Sequence, residues 1–175
     1  DWLDAREALD GPEAPLRTTV TVEHPRTILT RNGSPDIPFD RSINAYRGCE
    51  HGCIYCFARP THAYHDLSPG IDFETKLFAK PAAAALLRRE LGKPGYAVAP
   101  IAMGTNTDPY QPIEREQRTT RDLVALLHEA RHPLTITTKS HRIVRDIDLL
   151  GEMAKDDLVA VAISVTSLDP QTART

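Results

Sequence analysis

The sequence predicts an α/β fold on three observations. Short apolar runs recur at strand length, stretches with helical spacing separate them, and turns rich in Gly, Pro and polar residues punctuate the joins. Four strands with three intervening crossovers fit right-handed βαβ units. An open doubly wound sheet and the start of a barrel both satisfy that count. In either case functional residues gather in loops at the carboxyl ends of strands.

Residues 1–38 read as an N-terminal extension. They combine an acidic helical start, the Pro-punctuated GPEAPL, an alternating TTVTVEH and a turn at RNGSPDIP, with one or two short strands among them. The regular core spans 39–175. Its first strand is RSINAY, which runs directly into CEHGCIYC. FARPTHAYHDLSPGIDFETK reads as irregular. PAAAALLRREL is a helix, with Pro81 acceptable at its first position and the Gly92, Pro94 and Gly95 cluster ending it.

AVAPIAM is the second strand and empties into GTNTDPYQP. EREQRTTRDLVALLHEA is an amphipathic helix, with Leu123, Leu126, Leu127 and Ala130 at helical spacing, closed by Pro133. LTITT is the third strand. HRIVRDIDLLGEMAKD follows as a helix with Ile143, Ile147, Leu150 and Met153 along one side. LVAVAISV, an unbroken apolar run, has the pattern of a strand buried on both faces of a parallel sheet. The chain starts at Asp1 rather than Met and stops soon after this strand, so it reads as a fragment whose site is completed beyond Thr175.

Composition narrows the function classes. The 175 residues are 41% hydrophobic and 26% charged, as in an ordinary globular domain, and a net charge of −3 gives no global basic field toward nucleic acid or membrane. No apolar run approaches the roughly 20 residues that span a bilayer, and the start lacks a signal-peptide pattern. A cytoplasmic, reducing setting follows as the expectation. There, an odd, clustered set of cysteines points to metal ligation or catalysis rather than disulfides.

All three cysteines, Cys49, Cys53 and Cys56, lie in CEHGCIYC with C-x3-C-x2-C spacing. Gly48 and Gly52 permit a tight wrap, and Arg47 is placed to favour thiolates. Inert buried cysteines and a disulfide with one free thiol fit this clustering poorly. Two metal readings compete: a closed Cys3His zinc site with His51, His62 or His65 as fourth ligand, and an iron–sulfur cluster. The count is the informative part. A [4Fe–4S] cube takes one cysteine per iron, so three leave one iron open to a substrate or cofactor.

The C-x3-C-x-aromatic-C pattern after a first strand, with Tyr55 in the aromatic slot, resembles the radical S-adenosylmethionine (SAM) superfamily. The wider text, RSINAYRGCEHGCIYCFARPTHAYHDLSPGIDFETKLFAKP with GTNTDPYQPIE, TITTKS and ISVTSLDP, resembles its subgroup related to spore photoproduct lyase, the "DNA repair photolyase"-like proteins. The resemblance implies a partial (β/α)6 TIM-type barrel with about four strands present. It implies a [4Fe–4S] cluster on Cys49, Cys53 and Cys56, with SAM chelated at the open iron and cleaved by an electron from the reduced cluster to a 5′-deoxyadenosyl radical. The implied partners are SAM, a reducing electron donor and, by resemblance only, nucleic acid, with no membrane.

Site residues follow the same way. Tyr55 faces adenine. Gly104, Thr105, Asn106, Thr107 and Asp108 take the place where the second strand's end meets the SAM amino group. They depart from the commoner Gly-Gly-Glu form, and Asp108 is the electrostatic candidate. Without the resemblance this segment reads as a capped turn. Lys139 stands where a SAM carboxylate or substrate phosphate is met, and Ser140 either joins it or caps the next helix. Ser164 and Thr166 approach the ribose. Asn44 and Tyr46 are either mouth residues or packing. Tyr46, Tyr55, Phe57 and Tyr64 beside Arg47 and Arg59 would serve a base-stacking mouth or a shield for a cluster, while the arginines from Arg115 to Arg145 are interleaved with carboxylates and read as a solvated surface. HEARH, His128 to His132, matches a zinc-peptidase pattern, but Pro133 takes His132 out of the helix, so the motif is rejected.

Overall fold

The computed structural model describes residues 17–169; the acidic helix expected from the first residues lies outside them. In chain order the strands are β1 (Thr19–Val22), β2 (Thr30–Arg31), β3 (Arg41–Ile43), β4 (Tyr46–Arg47), β5 (Lys76–Ala79), β6 (Ile101–Met103), β7 (Leu134–Thr138) and β8 (Val159–Ile163). The helices are α1 (Asp72–Thr75), α2 (Ala83–Leu91), α3 (Glu114–Gln117), α4 (Thr119–Glu129) and α5 (Ile147–Lys155), with 3-10 helices over Arg59–His65 and His141–Asp146.

The main sheet has the order β2-β3-β6-β7-β8. Its four parallel strands, β3, β6, β7 and β8, are the four expected from the sequence, and β2 adds an antiparallel edge. Helices α2, α4 and α5 pack in a row and follow successive crossovers. Ile43, Ile101, Met103, Leu134 and Ile136 from the strands meet Leu87, Leu123, Leu127, Leu150 and Met153 from the helices in one core. Apolar residues at helical spacing on one side and short apolar strands on the other require this layering. Among the described residues the sheet is open and does not close into a barrel.

Several boundaries differ from the sequence expectation. RSINAY divides between two sheets, because β4 joins a second sheet of order β1-β5-β4. The crossing point is held by Lys80, whose backbone N–H donates to Ala45 O (3.1 Å) and whose Nζ donates to Asn44 O (2.8 Å). The stretch expected to be irregular contains two short helices, and KLFA at its end forms β5, the centre of that second sheet. Four residues with no flanking turn residue carry too little pattern to be read as a strand. AVAPIAM contributes only Ile101–Met103 to β6.

The long amphipathic helix breaks at Arg118, which takes a left-handed φ of 54°. Among the described residues β8, expected to be buried on both faces, leaves Val161 43% and Ile163 53% exposed. It pairs with β7 alone among the described residues, so one ladder and one neighbour cover it.

Candidate active site

The cysteine loop is shaped from below by backbone geometry. Gly48 has φ +73°, and a Cβ there would lie 2.6 Å from Leu77 Cδ2 and 2.7 Å from the Phe73 carbonyl oxygen, so only glycine fits. Cys49 N–H donates to that same Phe73 carbonyl (2.9 Å). Gln111, fully buried, clamps the loop from the other side: its Nε2 donates to Gly48 O (3.1 Å) and its Oε1 accepts from Glu50 N (3.1 Å). The Glu50 carboxylate in turn accepts from Ile113 N (2.7 Å). At the far end Arg59 Nε donates to Cys53 O (2.9 Å), with its guanidinium paired to Glu74. The result is three free thiols, Cys49 buried and Cys53 and Cys56 partly exposed.

Two strand ends complete the cleft. Gly104 has φ +89°, and a Cβ there would lie 2.0 Å from Thr137 O, so β6 leaves the sheet against the end of β7 only because the residue is glycine. Asn44, at the end of β3, donates from Nδ2 to Thr105 Oγ1 (3.0 Å) and accepts from Asn106 N (3.0 Å) at Oδ1. Thr107 Oγ1 donates to Tyr46 O (3.2 Å).

Asp108 is the keystone. Its Oδ1 accepts from Tyr110 N (2.8 Å) and Thr138 Oγ1 (2.6 Å), and its Oδ2 accepts from Lys139 N (2.9 Å). Its carboxylate therefore locks the end of β7 to the turn after β6, and most of its acceptor capacity is already used. Lys139 reaches across the cleft: Nζ donates to Cys53 Sγ (2.8 Å) and Tyr55 Oη (2.8 Å), and lies 4.9 Å from the Tyr55 ring centroid.

One cleft is lined by Cys49, Cys53, Cys56, His51, Tyr55, Phe57, Gly104, Thr105, Asn106, Thr107, Asp108, Thr137, Thr138, Lys139 and Ser164. Of the residues expected to hold the cluster or SAM, only Ser140 and Thr166 do not line it. Ser140 is buried and its Oγ accepts from Arg142 N (3.3 Å), capping the His141–Asp146 turn, which is the bland alternative foreseen for it. Tyr46 is also withdrawn from the mouth: it is fully buried and its phenol donates to Glu114.

Electrostatics correct one expectation. Arg47 does not serve the thiols, because its guanidinium is held by Glu23 at 2.8 and 3.0 Å. Burial pushes the Cys49 thiol up to about 12, against the backbone N–H groups of His51 and Asp108, which favour the thiolate. Burial also lowers the His51 pKa; Asp108, 3.5 Å from its Nε2, opposes this and Lys139 and Arg142 reinforce it. Burial alone would lower the Lys139 pKa, but hydrogen bonds to Cys53 and Tyr55 carry it upward.

The residues offered for a zinc site do not converge. His62 bonds through Nε2 to Lys76 O (2.8 Å), and His65 stacks on Phe78 with centroids 4.6 Å apart. Among the described residues no three His, Cys, Asp or Glu side chains come close enough to share a single ion. HEARH fails as well: α4 ends at Glu129, Arg131 is left-handed, and His132 is buried between Tyr96 Oη (2.8 Å) and Pro133 O (3.0 Å).

A family profile described as the radical SAM superfamily matches residues 43–175, three quarters of the chain. The chain belongs to the radical SAM superfamily. Membership implies a [4Fe–4S] cluster and SAM as cofactors. Uncharacterized protein Mb2609c of Mycobacterium bovis and uncharacterized protein Rv2578c of Mycobacterium tuberculosis are each 44% identical over 135 residues, covering 77% of this chain and 40% of theirs. Uncharacterized protein MJ0683 of Methanocaldococcus jannaschii is 25% identical over 127 residues, covering 73% of this chain and 44% of its own. This radical SAM chain thus spans about 40% of the length of the curated relatives it matches. No solved structure matches it.

The residues present fit such a cluster. A cube presents its irons at separate corners, so three soft thiolates on one cleft wall suit it without converging on a point. Sequence reasoning missed Gln111 and Glu50, and read Arg59 as part of a stacking or shielding mouth where it holds the cysteine loop. Their only signal is polar side chains beside motif residues, and sequence does not say which of those become buried.

Proposed function

We propose that this chain binds the cluster through Cys49, Cys53 and Cys56 and holds SAM between the cysteine loop and the ends of β6, β7 and β8, as part of a radical SAM enzyme. The observation that supports this reading most directly is the cleft itself, which unites three free thiols with three strand-end loops. Bound there, the cluster and SAM supply reductive cleavage of the sulfonium and a radical able to abstract hydrogen.

The chain's own residues do the rest. Thr105, Asn106 and Thr107, pinned by Asn44 and the Tyr46 carbonyl, present polar groups to the SAM amino end. Tyr55 and Phe57, 63% and 78% exposed, offer aromatic surface to adenine and shield the thiols from water. Ser164, whose N–H donates to Thr138 O (2.8 Å), stands at the ribose side.

Resemblance of the wider sequence supports a finer reading: a lyase related to spore photoproduct lyase, acting on lesions in DNA, built on a partial (β/α)6 barrel. Anaerobic reconstitution followed by iron and sulfide counts, with dithionite and SAM added and 5′-deoxyadenosine measured, tests the chemistry. A colourless protein carrying one zinc would overturn it. Formation of 5′-deoxyadenosine by the full-length protein without turnover of thymine lesions would overturn the DNA-lyase reading alone.

A further inference from the structure

We infer that Lys139 is a positioning residue for the cluster itself, an N–H···S donor that makes the cluster easier to reduce. The inference rests on the reading that Cys53 ligates the cluster. The geometry carries it. Lys139 follows the last residue of β7, and its backbone is fixed by the bond from its N–H to Asp108 Oδ2 (2.9 Å). From there the ammonium is held at 2.8 Å from Cys53 Sγ and 2.8 Å from Tyr55 Oη, with the Tyr55 ring beneath it at 4.9 Å.

These contacts fix the ammonium on the wall that carries the thiols. The acceptor is a ligand sulfur, and hydrogen bonds to ligand sulfurs are among the devices by which proteins set iron–sulfur potentials. The sign follows from charge. Reduction adds one negative charge to the cluster, a cation bonded to a ligand sulfur stabilises that form more than the oxidised one, and the potential rises. Tyr55 orients the donor through its hydroxyl and ring, which gives the aromatic of C-x3-C-x-aromatic-C a task besides facing adenine.

The test uses the full-length protein, reconstituted anaerobically, in wild-type, Lys139→Met, Lys139→Arg and Tyr55→Phe forms. Iron and sulfide counts come first, then a redox titration of the cluster followed by its reduced-state electron paramagnetic resonance signal, with and without SAM, and SAM affinity by equilibrium dialysis. We expect full cluster content in all four. In Lys139→Met the reduction equilibrium falls on the order of tenfold, about 59 mV more negative for one electron, already without SAM. Lys139→Arg recovers most of the shift, and Tyr55→Phe gives a smaller shift in the same direction.

An unchanged potential with weakened SAM binding in Lys139→Met would overturn the inference and return Lys139 to the carboxylate. If Lys139→Met does not take up cluster, the Lys139→Arg and Tyr55→Phe titrations decide: both at the wild-type potential overturns the inference, and a negative shift in Tyr55→Phe sustains it. Absence of iron from the wild-type protein would instead overturn the cluster reading on which it rests.

Discussion

Truncating Glu114 should cost far more than truncating the arginine it pairs with. The Glu114 side chain is 1% exposed and Arg145 is 30% exposed. Glu114 accepts from Arg145 Nη2 (2.6 Å), Thr120 N (2.9 Å), Arg121 N (3.2 Å) and the Tyr46 phenol. Two of those donors are first-turn N–H groups of α4, whose preceding residue, Arg118, makes no side-chain cap. Glu114 is therefore both an ion-pair partner and the missing cap.

Glu114→Ala strands a buried phenol and two helix donors, each costing about 1–3 kcal/mol, so the loss is on the order of 3 kcal/mol or more. Arg145→Met leaves Glu114 its three other donors, and leaves Asp146 still bonded to Arg121 (2.9 Å) and to the Tyr110 hydroxyl (3.0 Å). Arg145 gives up two hydrogen bonds to Glu114 and two to Asp146, but it is 30% exposed and each carboxylate keeps its other donors, so that loss is about 1.5–3 kcal/mol. Urea melts of both variants read the difference as a shift in midpoint at constant slope. Equal destabilisation by the two variants, or a larger effect from Arg145→Met, would refute the assignment of Glu114 as the cap.

Three further outcomes follow from the same geometry. Gly104→Ala combines a φ of +89° with a Cβ 2.0 Å from Thr137 O, so it should abolish folded protein or separate the ends of β6 and β7, seen as loss of cluster uptake; normal iron content would contradict the close approach. Burial, aided by Arg47 and opposed by Glu23, pushes Lys80 down to about 8. The unfolded chain binds the extra proton up to about pH 10.4, so stability should rise from about pH 8 to about pH 10.4 by on the order of 3 kcal/mol. Lys80→Met should remove that rise, and parallel stability curves for the two proteins would rule it out. In the cluster-free protein at pH 8, iodoacetamide should label Cys49, buried and with its thiol pushed up to about 12, well after Cys53 and Cys56, as read by peptide mass spectrometry; first-labelled Cys49 would contradict its placement.

Legibility differed by the range of the interactions involved. The four parallel strands were readable because each is a short apolar run between helical repeats. β5 was not, because its four residues gain meaning only from β1 and β4 on either side. RSINAY reads as one strand, yet Asn44 and Ala45 are where the chain changes sheets, a matter of what Lys80 offers from 35 or so positions away.

By itself the sequence determined the chemistry-bearing set: three cysteines at a spacing that leaves a cube one ligand short. Local spacing decides such features, so they are visible without a fold. Only the tertiary structure decided which polar residues serve them. Asp108, expected to meet a ligand's ammonium, spends its oxygens joining β6's turn to β7, and Gln111 and Arg59 hold the cysteine loop. Lys139 meets Cys53 across 86 residues of chain. Those assignments depend on which groups burial brings within hydrogen-bonding distance, and no spacing along the chain encodes that.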